Sequence, residues 1–330
     1  MNPIHTSEPG SSPASVATGF HLAIGANAVW GLAFLVPVLL PDAGAVELTL
    51  GRYFAYGLVS LVLYLTTVRN QVRISRQTWI TALAFAAAGN VGYYFLLVLA
   101  VHNVGAPVTT MVIGILPITI PLVANWRRRE YPFSRLAVPL LLVLVGLTLM
   151  NMVELRSGGA HMARSLAAQM FGLVSALGAL VLWTWFGVAN AEFLRKRPDI
   201  SPSTWSTVVG AQTLVLVLAA APMAIVGSAS PTWRVGLDGT GLGQLIAGSV
   251  VLGVVVSWGG TLLWNGASLR LPVSLAGLTI VLETIFGLVY VYVATRTFPT
   301  MLHVASIVLI LLGVVLGILR TRAEPSRAAP

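Results

Sequence analysis

The chain has 330 residues, of which 9% are charged and 57% hydrophobic, with a mean hydropathy of +0.88. A soluble globular domain carries about 25% charged residues, so this composition excludes a fold whose surface faces water throughout. The absence of cysteine excludes disulfides, thiolate metal sites and cysteine nucleophiles. The formal net charge of +9 does not point to nucleic acid, because the basic residues fall in short loops between apolar runs.

Residues 1–19 are rich in Ser, Pro and Thr and hold no Lys or Arg. A secretory signal would start with a positive segment and end at a small-residue cleavage site, so the stretch is expected to be a disordered cytoplasmic tail ahead of a retained first helix. Crossing roughly 30 Å of hydrocarbon takes about 20 mostly apolar residues. Runs of that kind lie near 20–40, 47–67, 79–100, 106–126, 136–153, 168–190, 204–227, 244–266, 272–293 and 299–319. The charge-free stretch from Gln77 to Trp126 holds two spans, separated by a turn at His102-Asn103-Val104-Gly105. The eighth and ninth spans are divided at Ser268-Leu269-Arg270-Leu271, and residues 321–330 form a second cytoplasmic tail. No loop is long enough for a soluble domain.

Loop charges test the count. With the N-terminus in the cytoplasm, the inner loops and tail hold Arg69, Arg73, Arg76, Arg127, Arg128, Arg129, Arg135, Arg195, Lys196, Arg197, Arg270, Arg320, Arg322 and Arg327, fourteen in all. The outer loops hold Arg156, Arg164, Arg234 and Arg296, while Arg52 lies within a span. That bias follows the positive-inside rule for ten crossings with both termini cytoplasmic. Eighteen arginines against the single Lys196, with much Ala, Gly and Val, suggest a GC-rich bacterial coding sequence and hence an inner-membrane location.

The chain also resembles itself weakly. Gly25–Gly31 aligns with Gly178–Thr184, matching Trp30 to Trp183, and Gly92, Ala100 and Gly146 fall opposite Gly259, Ala267 and Gly313 at one constant offset. Five spans per half make the second half enter from the opposite side, the plan of inverted-repeat secondary transporters. The expected fold is therefore an all-α integral membrane protein of ten transmembrane helices, built as two inverted five-helix repeats over residues 20–160 and 165–320.

Several short motifs resemble the EamA family of ten-helix carriers in the drug/metabolite transporter (DMT) superfamily. They are Ala26-Asn27-Ala28-Val29-Trp30-Gly31 in the first span, Gly51-Arg52-Tyr53-Phe54 in the second and Gly114-Ile115-Leu116-Pro117-Ile118 in the fourth. Leu282-Glu283-Thr284-Ile285-Phe286 in the ninth and Leu312-Gly313-Val314-Val315-Leu316-Gly317 in the tenth complete the set. The likeness covers about residues 20–320. Thr284 stands where the family has proline, and Ala294-Thr295-Arg296 replaces a usual Gly-Glu. The resemblance implies export or exchange of a small metabolite, an amino acid or a drug-like compound, driven by an ion gradient or by the solute's own gradient.

Glu283 sits close to the middle of the ninth span, where ionised side chains are costly and mark functional sites. Phe286 and Tyr290 follow at i+3 and i+7, on the same helical face. A proton-coupling acid and a protonated structural acid are both open readings of Glu283. Arg52 offers a guanidinium fork for a substrate carboxylate; snorkelling, or an ion pair with Glu47, is the alternative. Asn27, Trp30, Asn90, Tyr93, Tyr94, Trp183 and Trp258 are candidates for an aromatic substrate cavity, against the ordinary role of aromatics as interface anchors. Trp126, Trp264 and Asn265 fall near cytoplasmic ends, where anchoring is expected. The sequence contains no Gly-x-Ser-x-Gly elbow, no His-Glu-x-x-His and no P-loop, and its five histidines are scattered. An enzyme is not expected, nor any cofactor or metal. The expected partners are the bilayer and a small-molecule substrate, with proton coupling as an option and a facilitator or channel as the alternative to a coupled exporter.

Overall fold

The computed structural model describes residues 13–157, 165–227 and 239–322, apart from 42 and 44. Among the described residues, ten helices are long and apolar enough to cross a membrane: α1 (Ser15–Leu39), α2 (Val46–Gln71), α3 (Arg76–Val104), α4 (Val108–Arg128), α5 (Phe133–Met152), α6 (Leu166–Lys196), α7 (Pro202–Pro222), α8 (Gly241–Arg270), α9 (Val273–Thr295) and α10 (Met301–Thr321). There are no strands among the described residues. Each helix lies within a few residues of its expected span. Among the described residues the helix already runs from Pro13, ahead of the expected start near residue 20. The outer-loop residues Arg164 and Arg234, and most of the two tails, lie outside the described residues.

Local chemistry sets the ends. Ser75 caps α3 by accepting from the Thr78 N–H at 3.2 Å, and Ser165 and Ser201 do the same for α6 and α7 at 3.3 and 3.1 Å. Gly105 turns the chain between α3 and α4 at φ 85°, a conformation that glycine reaches without steric cost.

The main pairings are α5 with α10, α2 with α7, and α4 with α9. α1 lies between α8 and α9, while α6 lies between α3 and α4. Exchanging each helix of the first half with its counterpart in the second maps this set of pairings onto itself, which is consistent with an internal two-fold. α7 and α9 are the most enclosed spans, with 61% and 67% of an 18-residue apolar stretch buried against 33% for α1 and α10, so they form the centre of the bundle. Apolar side chains such as Leu141, Leu144, Leu312 and Val315 stay exposed on α5 and α10. They match a lipid surround, where apolar surface costs nothing.

Among the described residues, three helices contain π-helical turns, at Tyr64–Val68, Ala87–Gly92 and Val251–Gly259. The turns in α3 and α8 end at Gly92 and Gly259, 167 positions apart, the offset that also separates Gly146 from Gly313. α4 and α9 are each broken, between Ile113 and Leu116 and at Ile280. Pro117 follows the first break and Thr284 stands 167 positions on, after the second. Among the described residues, the two non-glycine residues with positive φ, Arg129 at 50° and Arg296 at 54°, are separated by the same offset.

The α5–α10 crossing depends on glycine. A Cβ at Gly146 would lie 2.9 Å from the Ser306 carbonyl oxygen, and one at Gly313 would lie 2.8 Å from that of Pro139. Gly146→Val or Gly313→Val should therefore cost at least the ~1–3 kcal/mol typical of overpacking, read as a lower thermal midpoint in detergent. Gly243→Ala, with nothing within 4 Å of its Cβ, should leave that midpoint unchanged.

Candidate substrate site

The broken helices border one cavity of about 390 Å³, within the ~300–1,000 Å³ range of small-molecule pockets. Its walls come from α1–α6, α8 and α9. Seven of the expected site residues meet there: Trp30, Arg52, Asn90, Tyr93, Tyr94, Trp183 and Glu283. The structure adds Ser257, Thr261 and Trp264.

Glu283 is placed by the break in α9. The Ile280 N–H donates to the Gly277 carbonyl at 3.2 Å and the Glu283 N–H to the Ile280 carbonyl at 3.0 Å, three-residue spacings that interrupt the α ladder. A new helix starts at Val281, so Glu283 lies in its first turn, at the positive end of the helix dipole. Among the described residues, no group forms a hydrogen bond or ion pair with its carboxylate. The Arg52 guanidinium shares the cavity, and its charge acts on the carboxylate through space.

Arg52 enters from α2. Its Nε donates to Ser257 Oγ at 2.8 Å, and the guanidinium lies over the Tyr53 ring at 5.4 Å. It turns to α8 rather than to Glu47. Asn90 donates to Thr213 Oγ1 at 2.8 Å, and Tyr53 Oη donates to the Asn90 carbonyl at 3.4 Å.

Four expected residues lie off the cavity. Asn27 is fully buried and donates to the Ala23 carbonyl of its own helix at 2.7 Å. Trp258 Nε1 donates to Thr207 Oγ1 at 3.2 Å, beside the Tyr53–Tyr56 cluster. Phe286 and Tyr290 stack at 6.1 Å, and Tyr290 Oη donates to the Ala28 carbonyl of α1 at 3.1 Å. Their helical face is divided: Gly31 and Gly287 let α1 and α9 approach closely at Phe286, and α1 covers both rings while Glu283 stays on the cavity side.

One end of the cavity is closed. Trp30, Trp264 and Trp183 make its aromatic floor, with Trp30 5.4 Å from Trp264 and edge-on to Trp183 at 6.0 Å; Tyr93 meets Trp183 at 6.0 Å. Trp264 is 1% exposed, so it is a wall of the cavity and not the interface anchor that its sequence position suggested. Asn265 is likewise fully buried, whereas Trp126 is 73% exposed as an anchor would be. Beneath the floor, Asn190 donates to Asn265 Oδ1 at 2.7 Å, Asn265 donates to Ser206 Oγ at 2.9 Å, and Trp205 donates to Asn190 Oδ1 at 2.7 Å. Farther out, the Glu130 carboxylate caps α9. It accepts from the Val273 and Ser274 N–H groups at 3.0 and 2.9 Å and from Ser274 Oγ at 2.6 Å, and it pairs with Arg128 and Arg195 at 3.8 Å each. Arg195 also donates to the Ser268 and Leu271 carbonyls. Burial, with Glu130 alongside, pushes the neighbouring Tyr131 phenol up to about 12, so it stays neutral at physiological pH. The cavity extends the other way, to Val101 and Thr109 at the opposite end of the bundle.

A solute-sized chamber inside ten spanning helices, flanked by two broken ones, defines a helical membrane transporter. The sequence profile of the EamA-like transporter family matches residues 17–152. Inner membrane protein YtfF of Escherichia coli strain K12 is 34% identical over 324 residues, which cover 94% of this chain and 97% of that protein. A solved crystal structure superposes with a TM-score of 0.74 at 20% identity, over 96% of this chain and 100% of that one, a likeness of fold alone. The chain belongs to the EamA-like transporter family, whose members are drug/metabolite-type membrane transporters for small molecules and not enzymes.

Removing Asn190 would strand buried partners on α7 and α8. Asn190→Ala should cost about 1–3 kcal/mol as a lowered thermal midpoint. Asn103→Ala, which loses a bond to Leu99 of its own helix, should cost less.

Proposed function

We propose that the chain is a secondary exporter that moves a small amphipathic metabolite, such as an amino acid or a drug-like compound, across the bacterial inner membrane by alternating access, with Glu283 as the proton-coupling acid. The observation that carries this reading is the Glu283 carboxylate, at the break in α9, facing a solute-sized cavity with no hydrogen-bond partner among the described residues. An ionisable group so placed can hold its proton in one state of the cycle and release it in another. Trp30, Tyr93 and Trp183 supply flat apolar walls for the solute's body. The two halves, 20–160 and 165–320, act as the inverted repeats that rock around this site, with both termini cytoplasmic. The closed, arginine-rich end then faces the cytoplasm and the cavity opens outward. Asn27, Trp258, Phe286 and Tyr290 support the walls from behind.

The purified protein in liposomes, offered labelled amino acids and cationic dyes, should show flux that rises with an imposed pH gradient. Glu283→Gln, inserted and folded equally well, should lose that gradient dependence. Gradient-independent flux unchanged in the variant would leave a facilitator and make Glu283 a structural acid.

The chain has no cysteine, so orientation can be read from single introduced thiols. Phe298→Cys, at a position 92% exposed, should react with an impermeant maleimide on intact cells, and Asp199→Cys only after permeabilisation. The reverse pattern would invert the topology.

A further inference from the structure

We infer that the transported solute carries a carboxylate which docks end-on to Arg52, and that Ser257 is the positioning residue that aims the guanidinium at it. The inference rests on the transporter reading above and names the chemistry of the substrate.

An arginine inside a membrane-spanning helix is costly unless a partner or water compensates it. Arg52 lines the cavity together with Glu283, which feels its charge, but no carboxylate comes within ion-pair distance of the guanidinium among the described residues. Its Nε is taken by Ser257 at 2.8 Å and its flat face by the Tyr53 ring. What remains is the outer edge, the two terminal amino groups, whose parallel N–H bonds match the two oxygens of a carboxylate. With Nε occupied, the side-on approach is blocked, so the end-on, bidentate mode is the one the site leaves open.

The aim of that edge is built into the backbone. Ser257 Oγ donates to the Leu252 carbonyl five residues back at 2.9 Å, a carbonyl presented by the π-helical turn Val251–Gly259. The hydroxyl hydrogen is thereby committed, and the oxygen accepts from Arg52. The same turn fits closely under α2. A Cβ on Gly253 would lie 2.5 Å from the Arg52 carbonyl oxygen, so the two helices are held in register where the guanidinium leaves the backbone. Trp30, Tyr93 and Trp183 then receive an apolar or aromatic body beyond the carboxylate.

The test uses four solutes that share one ring and differ in charge: 3-phenylpropionate, 3-phenylpropionamide, 2-phenylethylamine and phenylalanine. Binding to the purified full chain is followed by thermal shift, and uptake by liposomes in parallel. Both carboxylates, phenylpropionate and phenylalanine, should bind and be transported, and the amide and the amine should not. Arg52→Gln should weaken carboxylate binding by ~10-fold or more, the scale of a charge-assisted pair, and Arg52→Lys should recover part of it. Ser257→Ala should raise KM for the carboxylate several-fold with little change in the maximal rate. Binding of the amide or amine as tight as that of the acid overturns the proposal. So does failure of all four to bind, or a Ser257→Ala defect confined to the maximal rate. Carboxylate binding that depends on Arg52, with flux indifferent to pH and to Glu283→Gln, would overturn the proton-coupling reading and leave this one standing.

Discussion

In hydrocarbon every backbone N–H and C=O must find its partner within the protein, and that requirement organises this molecule. It forces ten helices, and it confines any interruption of a helix to places that the protein itself encloses. The breaks in α4 and α9 and the π-helical turns at Ala87–Gly92 and Val251–Gly259 all lie in helices that border the central cavity. The irregular backbone and the cavity are one feature: Tyr53 and Ser257 donate to the Asn90 and Leu252 carbonyls within the two turns, and the departures turn Glu283, Asn90 and Ser257 toward a shared space.

The glycines serve the same end. At Gly31, Gly287 and Gly253 the helices around the cavity approach until backbone meets backbone or ring, a spacing that small residues allow in membranes. α1 is thereby locked to α9, and α2 to α8, beside Glu283 and Arg52. The aromatic floor and the asparagine network below it join α1, α6, α7 and α8.

Much of this was legible in the sequence, because hydropathy reports spans directly and Gly105 and Pro117 punctuate the chain where it turns or breaks. The break in α9 left a fainter sign: Thr284 is an ordinary helical residue, and only its offset from Pro117 marks it. Helical arithmetic put Phe286 and Tyr290 with Glu283, but a face of that width is shared between two neighbours, and α1 takes the rings. Trp264 looked like an anchor because distance along the chain was read as depth in the membrane. Ser257 carries no mark in the sequence, since the five-residue reach to Leu252 exists only once the turn has formed.

The matched positions of the two halves also differ in an instructive way. Arg129 and Arg296 end α4 and α9 with the same left-handed turn, yet the next residue is Glu130 at one end and Thr297 at the other. Glu130 clamps α9 and two arginines, while Thr297 reaches only as far as Tyr292 and Thr295 nearby. The two ends of the bundle are therefore held unequally: one is bolted across helices by a carboxylate, the other closes on its own last turn, so prising the helices apart costs more at the Glu130 end.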